Sequence, residues 1–445
     1  MDSVPVSFPV APYLDGDTTM VPLRALSECL GFQVVWKDAS SPVTCTKDGT
    51  SIELRLGDDD VLVDGKALRM PKAAYLKDGT TVVPLRFFSE ALGFQVSWDD
   101  ATKTADVRSG KGPLQVWGFY ALGSAEYSSW EDLFGQKYPY PLMPTPSSPA
   151  SGMAGAILGW FAIDSRGLIT TQGHPSGFAR PDGWEAVLMR LSLFGAKKVA
   201  MFFADNQAGS LSSILNDPSA RERLALNISL ASVGFDGVAL DFEGLGPERS
   251  GTAADSANFT AFVEAVKRQC AGRFLMTVLP PQNGLPGGYD HKALGKLSDA
   301  VVLMAYGYED PAHPSSTAPW AKVDEAVALE IRDVPKEKII LGIPAYGTVY
   351  REQEEKVFQE SHPAARDPVG HGKLQVTFDP WSISEVLSWT DGSGVHTAYL
   401  ESNRTLQARV SLAERYGLLG AAVWRLGLLN QGWWDAVVEA VQPVR

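Results

Sequence analysis

Between residues 114 and 424 the chain sets down eight short apolar runs separated by longer stretches of helical character, a rhythm that few architectures accommodate. The runs are Leu114 to Tyr120, Ala156 to Ile163, Lys198 to Phe203, Gly237 to Glu243, Phe274 to Leu279, Ala300 to Tyr306, Ile339 to Ala345 and Gly420 to Trp424. Strands this uniformly apolar are covered on both faces, as in a parallel sheet joined by crossover helices. Eight of them predict an α/β fold, a closed (β/α)8 TIM barrel, whose chemistry gathers at the C-terminal strand ends. Glu243, Tyr306, Tyr346 and Trp424 all fall at such ends.

The fourth run carries the clearest chemistry. In Phe235-Asp236-Gly237-Val238-Ala239-Leu240-Asp241-Phe242-Glu243, strand alternation puts Ala239, Asp241 and Glu243 on one face and Val238, Leu240 and Phe242 on the other. With the apolar set packed under helices, the two carboxylates face a confined interior. Like charge and desolvation there raise a pKa and supply a proton donor near neutral pH. Glycoside chemistry asks for this arrangement, although an ion-paired strand end or a pair of metal ligands would read the same way. Asp236, at the head of the run, is grouped with Tyr346 and Trp424 as a substrate-binding candidate.

A chain of 445 residues fits a large barrel plus a smaller module. Its net charge of -13 is not gathered in an acidic tail, which argues against nucleic acid or anionic lipid as a partner. No apolar run reaches the length of a bilayer span. The opening Met1-Asp2-Ser3-Val4-Pro5-Val6 has neither the basic nor the apolar region of a secretory leader, so location is not read from it. The six histidines lack His-x-x-x-His spacing and no Cys-x-x-Cys occurs, so neither metal nor cofactor is expected. Cys29 and Cys45 share one module and have the option of pairing, but reduced thiols are the favoured reading. Cys270 reads as a small buried apolar residue.

The first hundred residues contain a duplication. Val21-Pro22-Leu23-Arg24 through Leu30-Gly31-Phe32-Gln33-Val34-Val35-Trp36 recurs as Val83-Pro84-Leu85-Arg86 through Leu92-Gly93-Phe94-Gln95-Val96-Ser97-Trp98. Each copy reads as a short helix after proline, a glycine stop and an alternating strand. Cys29 aligns with Ala91 and Cys45 with Val107, which marks both as core positions. Residues 1–108 resemble the copper amine oxidase N-terminal-like module, a stalk on secreted bacterial envelope proteins. The segment contains no histidine, so the resemblance implies no copper; a spacer or packing role is preferred over specific glycan binding.

Beyond the linker Arg108-Ser109-Gly110-Lys111-Gly112-Pro113, residues 112–445 resemble glycoside hydrolase family 18, and within it the spore-cortex-lytic and peptidoglycan-directed N-acetylglucosaminidases. The residues that carry this are Asp236 to Glu243, Tyr289-Asp290-His291 leading to Leu303-Met304-Ala305-Tyr306, Leu341-Gly342-Ile343-Pro344-Ala345-Tyr346-Gly347, and Ala422-Val423-Trp424-Arg425-Leu426-Gly427. The resemblance implies a retaining hydrolase acting on β-1,4 linkages at N-acetylglucosamine. Glu243 matches the general acid and base, and Asp241 the carboxylate that orients the substrate's acetamido group, which serves as nucleophile. Tyr306 matches the tyrosine bonded to the acetamido oxygen, and Trp424 the aromatic floor beneath the sugar. The implied partner is a peptidoglycan or chitin-like glycan, and the implied location is extracellular, at a bacterial envelope or spore. A chitinase, or a silent glycan-binding lectin on the same barrel, are the alternatives.

Two positions depart from the family pattern. Ala239 stands where the fuller signature has an Asp, and Gly307 where Met-x-Tyr-Asp ends in one, with Glu309 or Asp310 as the nearest substitutes. The long connection from Thr348 to Arg404 is expected to form a small α+β insertion on one wall of the cleft, with a strand at Val395 to Glu401. The Pro-rich loop Tyr138 to Pro149 is a candidate for the opposite wall or a lid.

Overall fold

The computed structural model describes residues 6–429 except 7, 31, 39–40, 48–49, 93, 100–103, 109–113, 123–128, 136–148, 285–286, 311, 354–355, 363–374 and 393. The Pro-rich loop, apart from Pro149, lies outside the described residues. The chain divides into two compact units, residues 1–110 and 111–445.

In the first unit each repeat forms the expected short helix, Leu23–Cys29 and Leu85–Ala91, entered through a proline with φ near the value its ring imposes (-58° and -62°). The strands Thr18–Pro22 and Thr80–Pro84 pair antiparallel with Val21 opposite Val83, and these are equivalent positions in the two copies. The repeats are thus knitted into one four-stranded sheet and share a core in which Leu26 and Phe88, and likewise Cys45 and Val107, are buried at matching positions. The Cys45 thiol lies 3.5 Å from the Ser27 hydroxyl.

The second unit is built on eight parallel strands: β1 Gln115–Ala121, β2 Gly155–Ile163, β3 Lys197–Asp205, β4 Gly237–Glu243, β5 Phe274–Leu279, β6 Ala300–Leu303, β7 Ile339–Pro344 and β8 Gly420–Trp424. Each pairs with its neighbour in sequence, and β8 pairs with β1, which closes the ring. Alternation sorts the side chains into two shells. Val238, Leu240 and Phe242 of β4 join the outer core beneath the helices, whereas Ala239 joins a lumen core with Phe119, Met201, Met276, Val302 and Ile340. Asp241 and Glu243 follow Ala239 on the lumen side.

Between β7 and β8 the chain forms an antiparallel sheet over residues 347–400, followed by the helix Asn403–Tyr416 that leads back to the barrel. The strands of this sheet lie in the order Lys356–His362, Gly347–Gln353, Gly394–Leu400, Ser384–Asp391, Gln375–Asp379. The last strand expected from sequence therefore appears within one residue of its predicted limits. Return to the barrel is fixed by a buried ion pair, Arg409 to Glu401 at 2.6 Å, with Thr405 Oγ1 also donating to Glu401 at 2.6 Å.

The outer face of β4 holds the site strand in register. Phe242 lies 5.6 Å from the ring of Phe259 and 5.1 Å from that of Phe262, both on the helix Asp255–Gln269. Phe242→Ala should cost about 3–5 kcal/mol of stability, measured by guanidinium unfolding. A loss below 1 kcal/mol would mean that this face does not anchor the strand.

Candidate active site

Asp241 is 2% exposed, and its Oδ1 has no hydrogen-bond partner among the described residues. Burial, with the charge of Glu243 adding to it, holds its carboxyl well above the ordinary aspartate range. Glu243, at the strand tip, is also pushed up, first by burial and then by the carboxylate of Asp205, while Arg249 pulls the other way. Two like groups on one face of a strand cannot both ionise cheaply in a dry lumen, so the pair retains a proton where free carboxylates would have lost it.

A polar clasp fixes the strand tips. The Asn206 backbone N–H donates to the Glu243 carbonyl at 3.1 Å, and its Nδ2 donates to the Gly244 carbonyl at 3.0 Å and to Ser212 Oγ at 2.8 Å. Ser212 in turn donates to the buried Asp255, which accepts from the backbone N–H groups of Gly246 and Thr252. The loop that follows Glu243 is therefore tied on both sides. From the next crossover, Tyr289 donates to the Phe242 carbonyl at 2.7 Å.

Two tyrosines close the site from β6 and β7. Tyr306 meets Tyr346 edge to face at 6.5 Å, and burial, the Tyr346 hydroxyl and then the Asp241 and Glu243 charges all hold its hydroxyl protonated. Thr317 Oγ1 donates to the Tyr346 hydroxyl at 3.0 Å. The Tyr306 ring needs the bare backbone of Gly342, where a Cβ would stand 3.0 Å from it and 2.7 Å from the Leu303 carbonyl. Trp424, half-buried, packs edge-on to Phe119 at 5.1 Å, and the peptide that follows it is cis.

The structure separates the two carboxylates that sequence offered in place of an Asp at 307. Glu309 stands 4.0 Å from where a Gly307 Cβ would be, accepts from Thr348 Oγ1 at 3.4 Å, and is the charge that acts most strongly on Tyr346. Asp310 is half-exposed and pairs with His313 at 2.9 Å.

Asp236 does not belong with this group. It precedes β4 at the opposite end of the barrel, where its carboxylate accepts from the Lys198 backbone N–H at 2.8 Å and pairs with Lys198 Nζ at 3.4 Å. Six residues of strand, roughly 20 Å, separate it from Glu243. Grouping it with the substrate contacts is corrected on that ground: it closes the foot of the strand. In the other direction, sequence reading passed over Asp205, Asn206 and Asp255. The adjacent polar pair ending an apolar run, Asp205-Asn206, was the available signal.

A closed parallel barrel with a buried carboxylate pair at one C-terminal strand end is a place where acid–base chemistry can be carried out. Comparison with known proteins makes the class specific. Residues 195–428 match the profile of Glycosyl hydrolases family 18, and residues 1–107 match that of the Copper amine oxidase N-terminal domain. The chain belongs to glycoside hydrolase family 18. A cortical fragment-lytic enzyme of Bacillus anthracis is 26% identical over 247 residues, which is 51% of this chain and 55% of that protein. The chain thus spans about half the length of the curated relatives it matches. A chitinase of Chromobacterium violaceum shares the fold with a TM-score of 0.60 at 20% identity, over 74% of this chain and 99% of that one. The spore cortex-lytic enzyme SleL of Bacillus megaterium does so with 0.58 at 17%, over 76% and 77%.

The raised pKa of Asp241 makes stability depend on pH with a definite sign. A carboxyl whose folded pKa exceeds its unfolded value of about 3.9 binds more protons folded than unfolded. Stability therefore falls as pH rises from that value through the folded pKa. Asp241→Asn should raise the melting temperature near neutral pH, with the gain shrinking to nothing below about pH 4. Calorimetry from acid to neutral pH checks this; a gain of constant size would remove the charge as its cause.

Proposed function

We propose that the chain is a retaining hydrolase of β-1,4 linkages at N-acetylglucosamine, working by substrate assistance on a bacterial cell-wall glycan. The observation that carries the reading is the buried Asp241–Glu243 pair, in which Asp241 offers an acceptor that no described residue satisfies. A sugar acetamide N–H supplies the matching donor. The acetamido carbonyl oxygen attacks C1 as the bond to the leaving glycosidic oxygen breaks, and Glu243 gives its proton to that oxygen. A cyclic oxazolinium results, with Asp241 accepting from its N–H and Tyr306 donating to its oxygen. Water then attacks C1 while Glu243 takes its proton, and the ring reopens with the configuration retained. Trp424 covers the apolar face of the sugar, and Tyr346 lies within reach of the same group.

Peptidoglycan is favoured over chitin by the match to a cortical fragment-lytic enzyme, and on that reading the protein acts at the envelope or spore. Chitinase action is the second reading, favoured by the resemblance of the barrel to the Chromobacterium chitinase. A silent lectin is disfavoured, since binding alone requires no proton-retaining acid at Glu243. Digestion of purified peptidoglycan and of chitin oligosaccharides, with the reducing ends identified by mass spectrometry, separates these readings. Fragments from chitin alone would move the substrate to chitin.

Glu243→Gln should keep the fold and lower turnover by roughly two to four orders of magnitude, followed by release of reducing ends. Equal rates on substrates with and without the N-acetyl group, or a glycosyl ester trapped on a protein carboxylate, would overturn substrate assistance.

A further inference from the structure

The ladder between β3 and β4 sets a third carboxylate beside the pair. Asp205 ends β3 directly opposite Glu243. Val199, Met201 and Phe203 of β3 face the lumen, so alternation carries Asp205 to the same side as Asp241 and Glu243. Neighbouring strands run about 4.8 Å apart, which makes these two carboxylates immediate neighbours at the mouth. Neither tip is free to swing away. Asn206 fastens the Glu243 carbonyl at 3.1 Å, and Gln207 Nε2 holds Asp205 Oδ2 at 2.9 Å. Gly244 turns the chain with φ +74°, and a Cβ there would lie 3.3 Å from Asn206 and 3.4 Å from Asp205 Oδ1.

Deeper in the lumen the pair has no comparable neighbour on these two strands. Ala239 lies opposite Met201, and both belong to the apolar core. The negative neighbour reaches the pair from the mouth and from the adjacent strand. The other groups facing Glu243 are Asp241 on its own strand, Arg249 from the following loop, and the hydroxyls of Tyr289, Tyr306 and Tyr346 beyond β5, β6 and β7. Arg249 is the one cation among them, and it opposes Asp205.

We propose that Asp205 is a positioning residue for the proton donor: held as the register partner of Glu243, its carboxylate keeps the proton on Glu243 toward higher pH and so sets the alkaline limit of hydrolysis. The inference rests on the reading of Glu243 as general acid. Removing the negative charge makes Glu243 easier to deprotonate, so the alkaline limb of the rate profile moves to lower pH.

The test is a set of pH profiles of kcat on a soluble chitooligosaccharide for the full chain and its Asp205→Asn, Asp205→Glu and Glu243→Gln variants, with thermal unfolding of each recorded. Asp205→Asn should shift the alkaline limb down by about one pH unit, and Asp205→Glu, which restores the charge, should return it. An unmoved limb in Asp205→Asn, or a rate lowered by the same factor at every pH, overturns the inference while Glu243→Gln remains inactive. Wild-type rates in Glu243→Gln overturn the general-acid reading, and this inference falls with it.

Discussion

Burial of the Asp241 carboxyl inside a closed barrel is the constraint to which the rest of the site answers. A carboxyl at 2% exposure with one oxygen unpartnered among the described residues is a group the fold would expel if nothing held its strand in place. What holds it is the opposite face of the same strand. Val238, Leu240 and Phe242 are all buried beneath helices, and each contributes about 1.5–3 kcal/mol by leaving water. Because strand side chains alternate, anchoring those three commits Asp241 and Glu243 to the lumen. The strand cannot slip by one residue without exchanging its core and its chemistry.

The second requirement is that the strand tips be as rigid as the strand. Asn206 and Asp255 meet it by bonding backbone groups of the loop after β4, and the Ser212 hydroxyl links the two side chains. Tyr289 reinforces the clasp from the next crossover. Rigidity at this point lets a carboxylate on β3 act on one on β4, since a charge that wanders is screened by solvent before it shifts a neighbour's proton.

The two departures from the family pattern have physical counterparts. Where an Asp is absent at 239, the lumen is filled by Ala239 against Met201, an apolar solution that deepens the desolvation of Asp241. Where an Asp is absent at 307, Gly307 adopts a left-handed φ of +82°, which L side chains seldom tolerate. The carboxylate near that position comes from Glu309, brought there by the turn itself and by Thr348 of the inserted sheet.

Much of this was legible in the amino-acid order, because it depends on local periodicity. Eight apolar runs gave the strands to within a few residues, and period-two alternation placed Asp241 and Glu243 together on one face. The duplication marked equivalent positions that turned out to share one sheet. What the order alone could not express depends on contacts between strands remote in sequence. That Asp205 stands beside Glu243 at the mouth, and that Asp236 meets Lys198 at the foot, follows from parallel register. The choice of Glu309 over Asp310 is tertiary in another way: it rests on where a left-handed glycine points the chain and on Thr348 of the inserted sheet. A single strand's sequence states which residues share a face; only the closed ladder decides which residues of its neighbours stand beside them, because register is set by hydrogen bonds between segments tens of residues apart.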